Sequence, residues 1–280
     1  MTLSPPSARP YELKEALLQV ENVSLTLGGN LILRDVNLEI RDIVRPGMTQ
    51  GQVVGLLGPS GIGKTRLFRI LAGLDAPDTG AVRITEEGLP VERGMVGVVA
   101  QHYPLFAHRT VLGNLTVAGR QAGLSGGDAA AKAAGLLQRF GMEEHGRKYP
   151  SQLSGGQRQR VAIAQQFMCS EHFLLMDEPF SGLDLNAVDR VSAFITEMAR
   201  SDEHKTFIVV THDVDAALEV SDTIWLLGRD RDAQDRIIPG ARIQRSYNLI
   251  ERGLAWREGI ATTPEFLALL REIREIFPRL

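Results

Sequence analysis

Apolar positions along the chain follow two rhythms, and the switches between them lay out most of its elements. Short apolar or alternating runs bounded by glycine and polar residues read as strands: Leu17–Leu25, Leu31–Ile40, Val53–Leu57, Ala81–Ile84, Val96–Val99, Phe173–Met176, Phe207–Val210 and Ile224–Leu227. Other segments carry apolar residues three and four apart and read as helices: Leu67–Ala72, Thr110–Val117, Ala129–Phe140, Val161–Met168, Ala187–Met198 and Val214–Val220. Gly141 suits the C-cap of the third of these. A final helix is predicted from Thr263 as cap and Pro264 in its first turn, with Phe266, Leu269, Leu270, Ile273 and Phe277 as its apolar stripe.

The β-rich entry, turning at Gly28-Gly29-Asn30, predicts an antiparallel flank. The later alternation of strand and helix predicts an α/β fold with a mostly parallel sheet, whose ligands sit at the carboxyl ends of its strands. Gln101, Asp177, Glu178 and His212 all fall there. The expected organisation is a loose N-terminal tail at 1–16, a core domain at 17–228 with an α-helical subdomain inserted at about 102–160, and a C-terminal extension at 229–280. In that extension Arg229–Asp232 reads as a charged loop. The stretch 41–50 reads as a long connection.

Composition narrows the function classes. A net charge of −3 argues against a nucleic-acid binder relying on a broad basic surface. The lone Cys169 permits no internal disulfide and is expected to be a buried, inert thiol. The start lacks the basic and apolar blocks of a signal peptide, and no apolar run is long enough to cross a bilayer. Any membrane role is therefore expected to go through a partner.

The chemistry is concentrated in eight residues, Gly58-Pro59-Ser60-Gly61-Ile62-Gly63-Lys64-Thr65. Two glycines, then Lys and Thr, between a buried strand and a helix, fit the phosphate-binding loop. Its backbone N–H groups and the positive end of the helix dipole would surround phosphates. Lys64 would reach the β- and γ-phosphates of a nucleotide, and the Thr65 hydroxyl would ligate Mg²⁺. An apolar strand ending in Asp177 puts a carboxylate beside that metal. Glu178 follows, suited to position and polarise the attacking water. A third run, Leu153-Ser154-Gly155-Gly156-Gln157-Arg158-Gln159-Arg160, contains a capping box from Ser154 to Gln157. A capped, glycine-rich helix start is itself an anion site, one that a second copy of the chain could offer to the phosphates held at Lys64.

Taken in order, these motifs resemble the ATP-binding cassette (ABC) ATPases: phosphate loop, Gln101, the signature run 153–160, Asp177-Glu178, Ser181-Gly182-Leu183-Asp184, then His212. The likeness spans about residues 17–228. It implies a P-loop NTPase cassette with a RecA-like sheet core, ATP and Mg²⁺ as ligands, and two copies sandwiching ATP between one phosphate loop and the opposing Ser154-Gly155-Gly156-Gln157. By the same resemblance Gln101 contacts the metal and the water and signals to a membrane subunit. Asp184 links the two sites across the dimer, and His212 holds the γ-phosphate and Glu178.

Three departures stand out. Leu27 occupies the place of the usual aromatic on adenine, leaving aliphatic contact or Tyr11 to hold the base. Arg66 replaces a small hydroxyl residue and could pair with an α- or β-phosphate. The 41–50 connection is longer than usual.

A single cassette without membrane spans resembles the ATPase subunit of a bacterial importer, most similar to the nitrate, sulfonate or taurine type. That implies a peripheral position at the cytoplasmic face of the inner membrane. The implied partners are an integral membrane permease and a substrate-binding protein, with no nucleic acid. A soluble regulatory or repair ATPase and an ATP-gated binding module are the alternatives. The cargo is not encoded in this chain.

Overall fold

The computed structural model describes residues 11–44, 51–84, 88–170, 172–200, 205–255 and 259–280. Two long strands, β1 (Glu12–Leu27) and β2 (Asn30–Val44), open the chain as a hairpin and are followed by β3 (Gln52–Leu57). Helix α1 (Lys64–Leu71) leads to β4 (Thr79–Ile84), β5 (Leu89–Pro90) and β6 (Val96–Val99). Three helices come next, α2 (Val111–Gln121), α3 (Gly126–Arg139) and α4 (Gly155–Phe167). The chain continues through β7 (Phe173–Asp177), α5 (Leu185–Arg200), β8 (Thr206–Thr211), α6 (Val214–Val220), β9 (Thr223–Arg231) and β10 (Ile237–Asn248), and ends in α7 (Pro264–Ile276).

The ten strands among the described residues form one sheet in the order β5-β4-β1-β2-β10-β9-β3-β8-β7-β6. From β9 to β6 neighbouring strands pair in parallel. β1, β2, β4 and β5 make the antiparallel flank. The expected fold class is thus the observed one. The parallel strands are covered on both faces, as parallel sheets require. In β8, Phe207 and Val209 enter a core with α2–α5, while Ile208 and Val210 enter the core that holds α1. All four are fully buried, and each such side chain contributes about 1.5–3 kcal/mol.

The last helix forms as expected. The Thr263 hydroxyl accepts from Phe266 N, and Phe266, Leu269, Leu270 and Ile273 are buried against α6 and the end of β10. Arg274 Nη2 donates to both carboxylate oxygens of Asp215 on α6, at 2.9 and 2.7 Å. Both side chains are more than half exposed. The apolar stripe therefore holds α7 in place far more than this pair does.

Five expectations change. β1 begins at Glu12, so residues 12–16 of the predicted tail belong to the sheet, while 1–10 lie outside the described residues. β2 runs to Val44, so only 45–50 of the predicted connection lie outside the described residues. β9 continues through Arg231 and takes up most of the predicted charged loop. β10 went unpredicted, because Pro239 and Gly240 break its pattern. Gly240 has φ +85°, and a Cβ there would meet the Arg34 Cβ at 2.6 Å. The glycine marks a register shift that lets β10 lie between β2 and β9. Cys169 is half-buried rather than buried, with Sγ 3.5 Å from the Ala118 carbonyl oxygen, and burial raises its pKa.

Candidate functional site

The register of the parallel strands assembles the site. Leu57 at the end of β3 pairs with Thr211 at the end of β8, and Asp177 at the end of β7 pairs with Val210. The loop after β3, the turn after β7 and His212 therefore leave one edge of the sheet together. Gln101 follows β6, the next strand along.

In the 58–65 loop Gly61 has φ +78° and Gly63 φ +117°, backbone that a side chain would strain. Gly63 caps α1 and also packs close to Ile32 and Leu33 of β2, so the loop is seated on the antiparallel flank. Lys64 opens α1, is buried, and turns back so that Nζ donates to the carbonyls of Gly58 at 2.7 Å and Pro59 at 3.2 Å. The same ammonium lies 3.4 Å from Glu178 Oε1.

Glu178 is the most heavily held group in the site. Its N–H donates to the Val210 carbonyl at 2.8 Å, and its φ is +50°, uncommon for a residue with a side chain. Oε2 accepts from the Thr211 hydroxyl at 3.0 Å and the His212 N–H at 3.3 Å, and lies 2.9 Å from His212 Nδ1. Asp177 is only partly accessible. Burial raises its pKa and the Glu178 charge adds to the rise, while Lys64 opposes it.

Asp177 Oδ1 is buried with no hydrogen-bond partner among the described residues. A hard carboxylate oxygen with unused acceptor capacity, close enough to Lys64 of the phosphate loop to feel its charge, fits Mg²⁺, which takes few protein oxygens and keeps phosphate and water ligands.

The signature run lies elsewhere on the surface. Ser154 caps α4 by accepting from Gln157 N, and the Gln157 side chain accepts from Ser154 N, so the capping box is complete. No hydrogen bond or ion pair among the described residues joins Ser154–Gln157 to the 58–65 loop. Instead this helix start faces a cleft of about 570 Å³ that it shares with Gln101, Tyr103 and Leu183. Asp184 accepts from Ala187 N in the first turn of α5. Gln101 Nε2 donates to Ser181 Oγ at 3.1 Å.

Arg66 is half-exposed and faces Asp75 at 3.9 Å. That carboxylate is already held by Arg69 at 2.6 and 2.7 Å, which keeps its pKa below the usual carboxylate range. Tyr11 does not reach the loop. It precedes β1, at the opposite end of that strand from Leu27, and its hydroxyl binds Glu251 and Asn248. The proposed Tyr11 contact with a base is therefore corrected; Leu27, exposed beside the hairpin turn, remains.

Sequence reasoning missed Thr211, Tyr103 and Asn114. Thr211 was the most findable, standing between a buried strand and His212. Asn114 is fully buried on α2, accepts from Phe106 N at 2.7 Å and donates to Phe106, Arg109 and Thr110 carbonyls.

Comparison with known proteins gives the family and the fold. A family model described as ABC transporter matches residues 42–181, half of the chain. The sulfate/thiosulfate import ATP-binding protein CysA of Thermosynechococcus vestitus is 37% identical over 220 residues, 78% of this chain and 63% of that protein. The chain spans about three fifths of the length of the curated relatives it matches. The structure of cbiO1 from Clostridium perfringens, part of the ABC transporter complex cbiONQ, superposes with a TM-score of 0.70 at 24% identity, covering 95% of this chain and 97% of that one, a likeness of fold. A dimeric, post-hydrolysis ATP-binding cassette, MJ0796 bound to ADP and Pi, gives 0.63 at 25% identity over 83% of this chain and 99% of that one.

Proposed function

The chain belongs to the ABC transporter family, and from that membership we propose that it is the ATP-hydrolysing subunit of an importer. In this reading two copies close on two Mg·ATP, and closure drives a separate membrane permease. The relatives' names supply the importer class and point to an oxyanion cargo, an importer type close to the nitrate, sulfonate and taurine systems. A substrate-binding protein would deliver that cargo, and the chain would sit peripherally at the cytoplasmic face. No helix among the described residues is long and apolar enough to cross a membrane.

One observation carries the proposal. Lys64, Glu178, Thr211 and His212 form a connected group at the carboxyl edge of the sheet. The backbone of 58–65 and Lys64 would hold the β- and γ-phosphates. Thr65, Asp177 and Gln101 would hold Mg²⁺, which supplies charge neutralisation on the phosphates when bound. Water attacks the γ-phosphorus as the bond to the β-phosphate oxygen breaks, and Glu178 takes the water's proton. Help of this kind is worth about 10²–10⁴-fold, roughly 3–5 kcal/mol of barrier. Thr211 and His212 fix Glu178 Oε2, so that the carboxylate presents one orientation. His212 would also meet the γ-phosphate. The partner copy's Ser154-Gly155-Gly156-Gln157 would close over the phosphates and Asp184 would touch the facing site. Arg66, half-exposed on the first turn of α1, would swing from Asp75 to an α- or β-phosphate.

The test is phosphate release from Mg·ATP, together with purification from membranes. The chain is expected to hydrolyse ATP, to lose that activity as Glu178→Gln, and to co-purify with a multi-span protein. Unchanged hydrolysis in Glu178→Gln would refute the assignment of the base, and recovery with no membrane protein would refute the importer reading.

A further inference from the structure

Tyr103 stands outside the phosphate grip, yet its side chain reaches the turn that carries Glu178. β6 and β7 are parallel neighbours, with Val99 paired to Met176. The segments leaving them, 100–103 and 177–181, therefore run side by side. Two side-chain hydrogen bonds join them: Gln101 Nε2 to Ser181 Oγ at 3.1 Å, and Tyr103 OH to the Pro179 carbonyl at 3.2 Å.

The second bond runs from one strained residue to the residue that follows another. Tyr103 has φ +47° and Glu178 φ +50°, positions that a side chain occupies only where its surroundings impose them. The Tyr103 ring packs against the helical core formed with α2–α5. Burial pushes its phenol up to about 12, so the group is a neutral donor throughout the physiological range.

A third segment lines the same cleft as Tyr103. Gln159 is buried on α4 five residues beyond Ser154, and both residues border that cleft. Its Nε2 has no hydrogen-bond partner among the described residues. A small approach of α4 would give the unused donor its acceptor and complete a chain from Gln159 through Tyr103 to Pro179. Buried donors left without a partner are unfavourable, so the fold is biased towards that approach.

We propose that the Tyr103 hydroxyl is a positioning group for hydrolysis: it fixes the Glu178 turn through Pro179 and couples it to α4 through Gln159. The proposal rests on the assignment of Glu178 above and adds to it a mechanical link from the Ser154-capped helix to the catalytic turn.

Tyr103→Phe keeps the ring and removes the hydroxyl, and Gln159→Met keeps the volume and removes the amide. Tyr103→Phe is expected to lower kcat 5- to 20-fold, with Kd for Mg·ATP within twofold and the fold retained. Gln159→Met is expected to lower kcat by a smaller factor, and the double variant to match Tyr103→Phe alone, since both act through one oxygen. A kcat within twofold of the parent, or losses that multiply, would overturn the proposal. Amide hydrogen exchange of the nucleotide-free protein gives a readout independent of hydrolysis. Exchange at 178–182 is expected to quicken in Tyr103→Phe, and equal exchange would contradict the link. If Glu178→Gln hydrolyses normally while exchange at 178–182 still quickens, the assignment of Glu178 fails and the mechanical link stands.

Discussion

The ammonium of Lys64 and the carboxylate of Glu178 face each other at 3.4 Å, both nearly out of solvent. The group assigned to activate water thus also holds the group assigned to bind phosphate. An incoming γ-phosphate has to share or displace that carboxylate, whose charge repels it. Glu178→Gln is therefore expected to bind Mg·ATP about 3- to 30-fold more tightly, roughly 0.7–2 kcal/mol, while hydrolysis falls about 10²–10⁴-fold. Equilibrium binding of a fluorescent nucleotide beside phosphate release checks both; weaker binding would show that the pair is not in competition with phosphate.

Asn114 determines the shape of the segment 106–110 before α2. Its four hydrogen bonds are half-buried, and truncation leaves the Phe106 N–H and the Arg109 carbonyl to find other partners, while the Phe106 and Thr110 carbonyls keep the backbone N–H groups of Arg109 and Asn114. Asn114→Ala is expected to lower stability by about 2–4 kcal/mol in urea unfolding. Exchange at 104–110 should rise more than elsewhere. This segment lies a few residues beyond Gln101, which the family resemblance has signalling to a membrane subunit, so coupling to that partner should weaken even where basal hydrolysis survives.

Tyr103 supplies a pH prediction. Its phenol titrates near 12 in the folded chain against 10.0 in an ordinary environment. Between those values the unfolded chain has released the proton and the folded chain has kept it, so raising the pH draws the equilibrium towards unfolding. Below pH 10 the contribution is constant and favours the fold. In a titration followed by phenolate absorbance, Tyr103→Phe is expected to lose the latest-ionising step and to show a shallower decline in stability between pH 10 and 12. Survival of that step in the variant would place the raised phenol elsewhere.

Leu27 bears on base selectivity. It is exposed beside the hairpin turn at Gly28-Gly29, and Tyr11 lies at the far end of the same strand. Stacking of a base on an aromatic side chain is worth about 1–3 kcal/mol. Leu27→Tyr is expected to tighten ATP binding about 5- to 150-fold, the range those energies correspond to. An unchanged Kd would mean that the base lies away from residue 27.

Much of this was legible from residue patterns, for identifiable reasons. Buried parallel strands are continuous apolar runs, so β3, β7 and β8 could be placed within a residue or so, and the motif residues follow directly from their ends. Strong local chemistry also marked the caps Ser154 and Thr263. The antiparallel flank was harder to bound, because its strands are exposed on one side and interrupted by bulges, as at Val20–Val23. β10 was invisible because its register depends on Gly240 passing close to Arg34, a long-range fit with no local signature. The hold of Thr211 on Glu178 and of Tyr103 on Pro179 depends on which strands become neighbours, and no spacing along the chain encodes that order.

The central claim is that nucleotide is gripped by the 58–65 loop of one copy and the Ser154-capped helix of another. The most direct measurement is light scattering of Glu178→Gln with Mg·ATP, with Mg·ADP, and with Ser154→Arg added to the first. Twice the single-chain mass is predicted with ATP alone, and the single-chain mass in the other two conditions. A Glu178→Gln protein that binds ATP stoichiometrically yet stays single at every concentration, or pairs equally well with Ser154→Arg, would contradict the account.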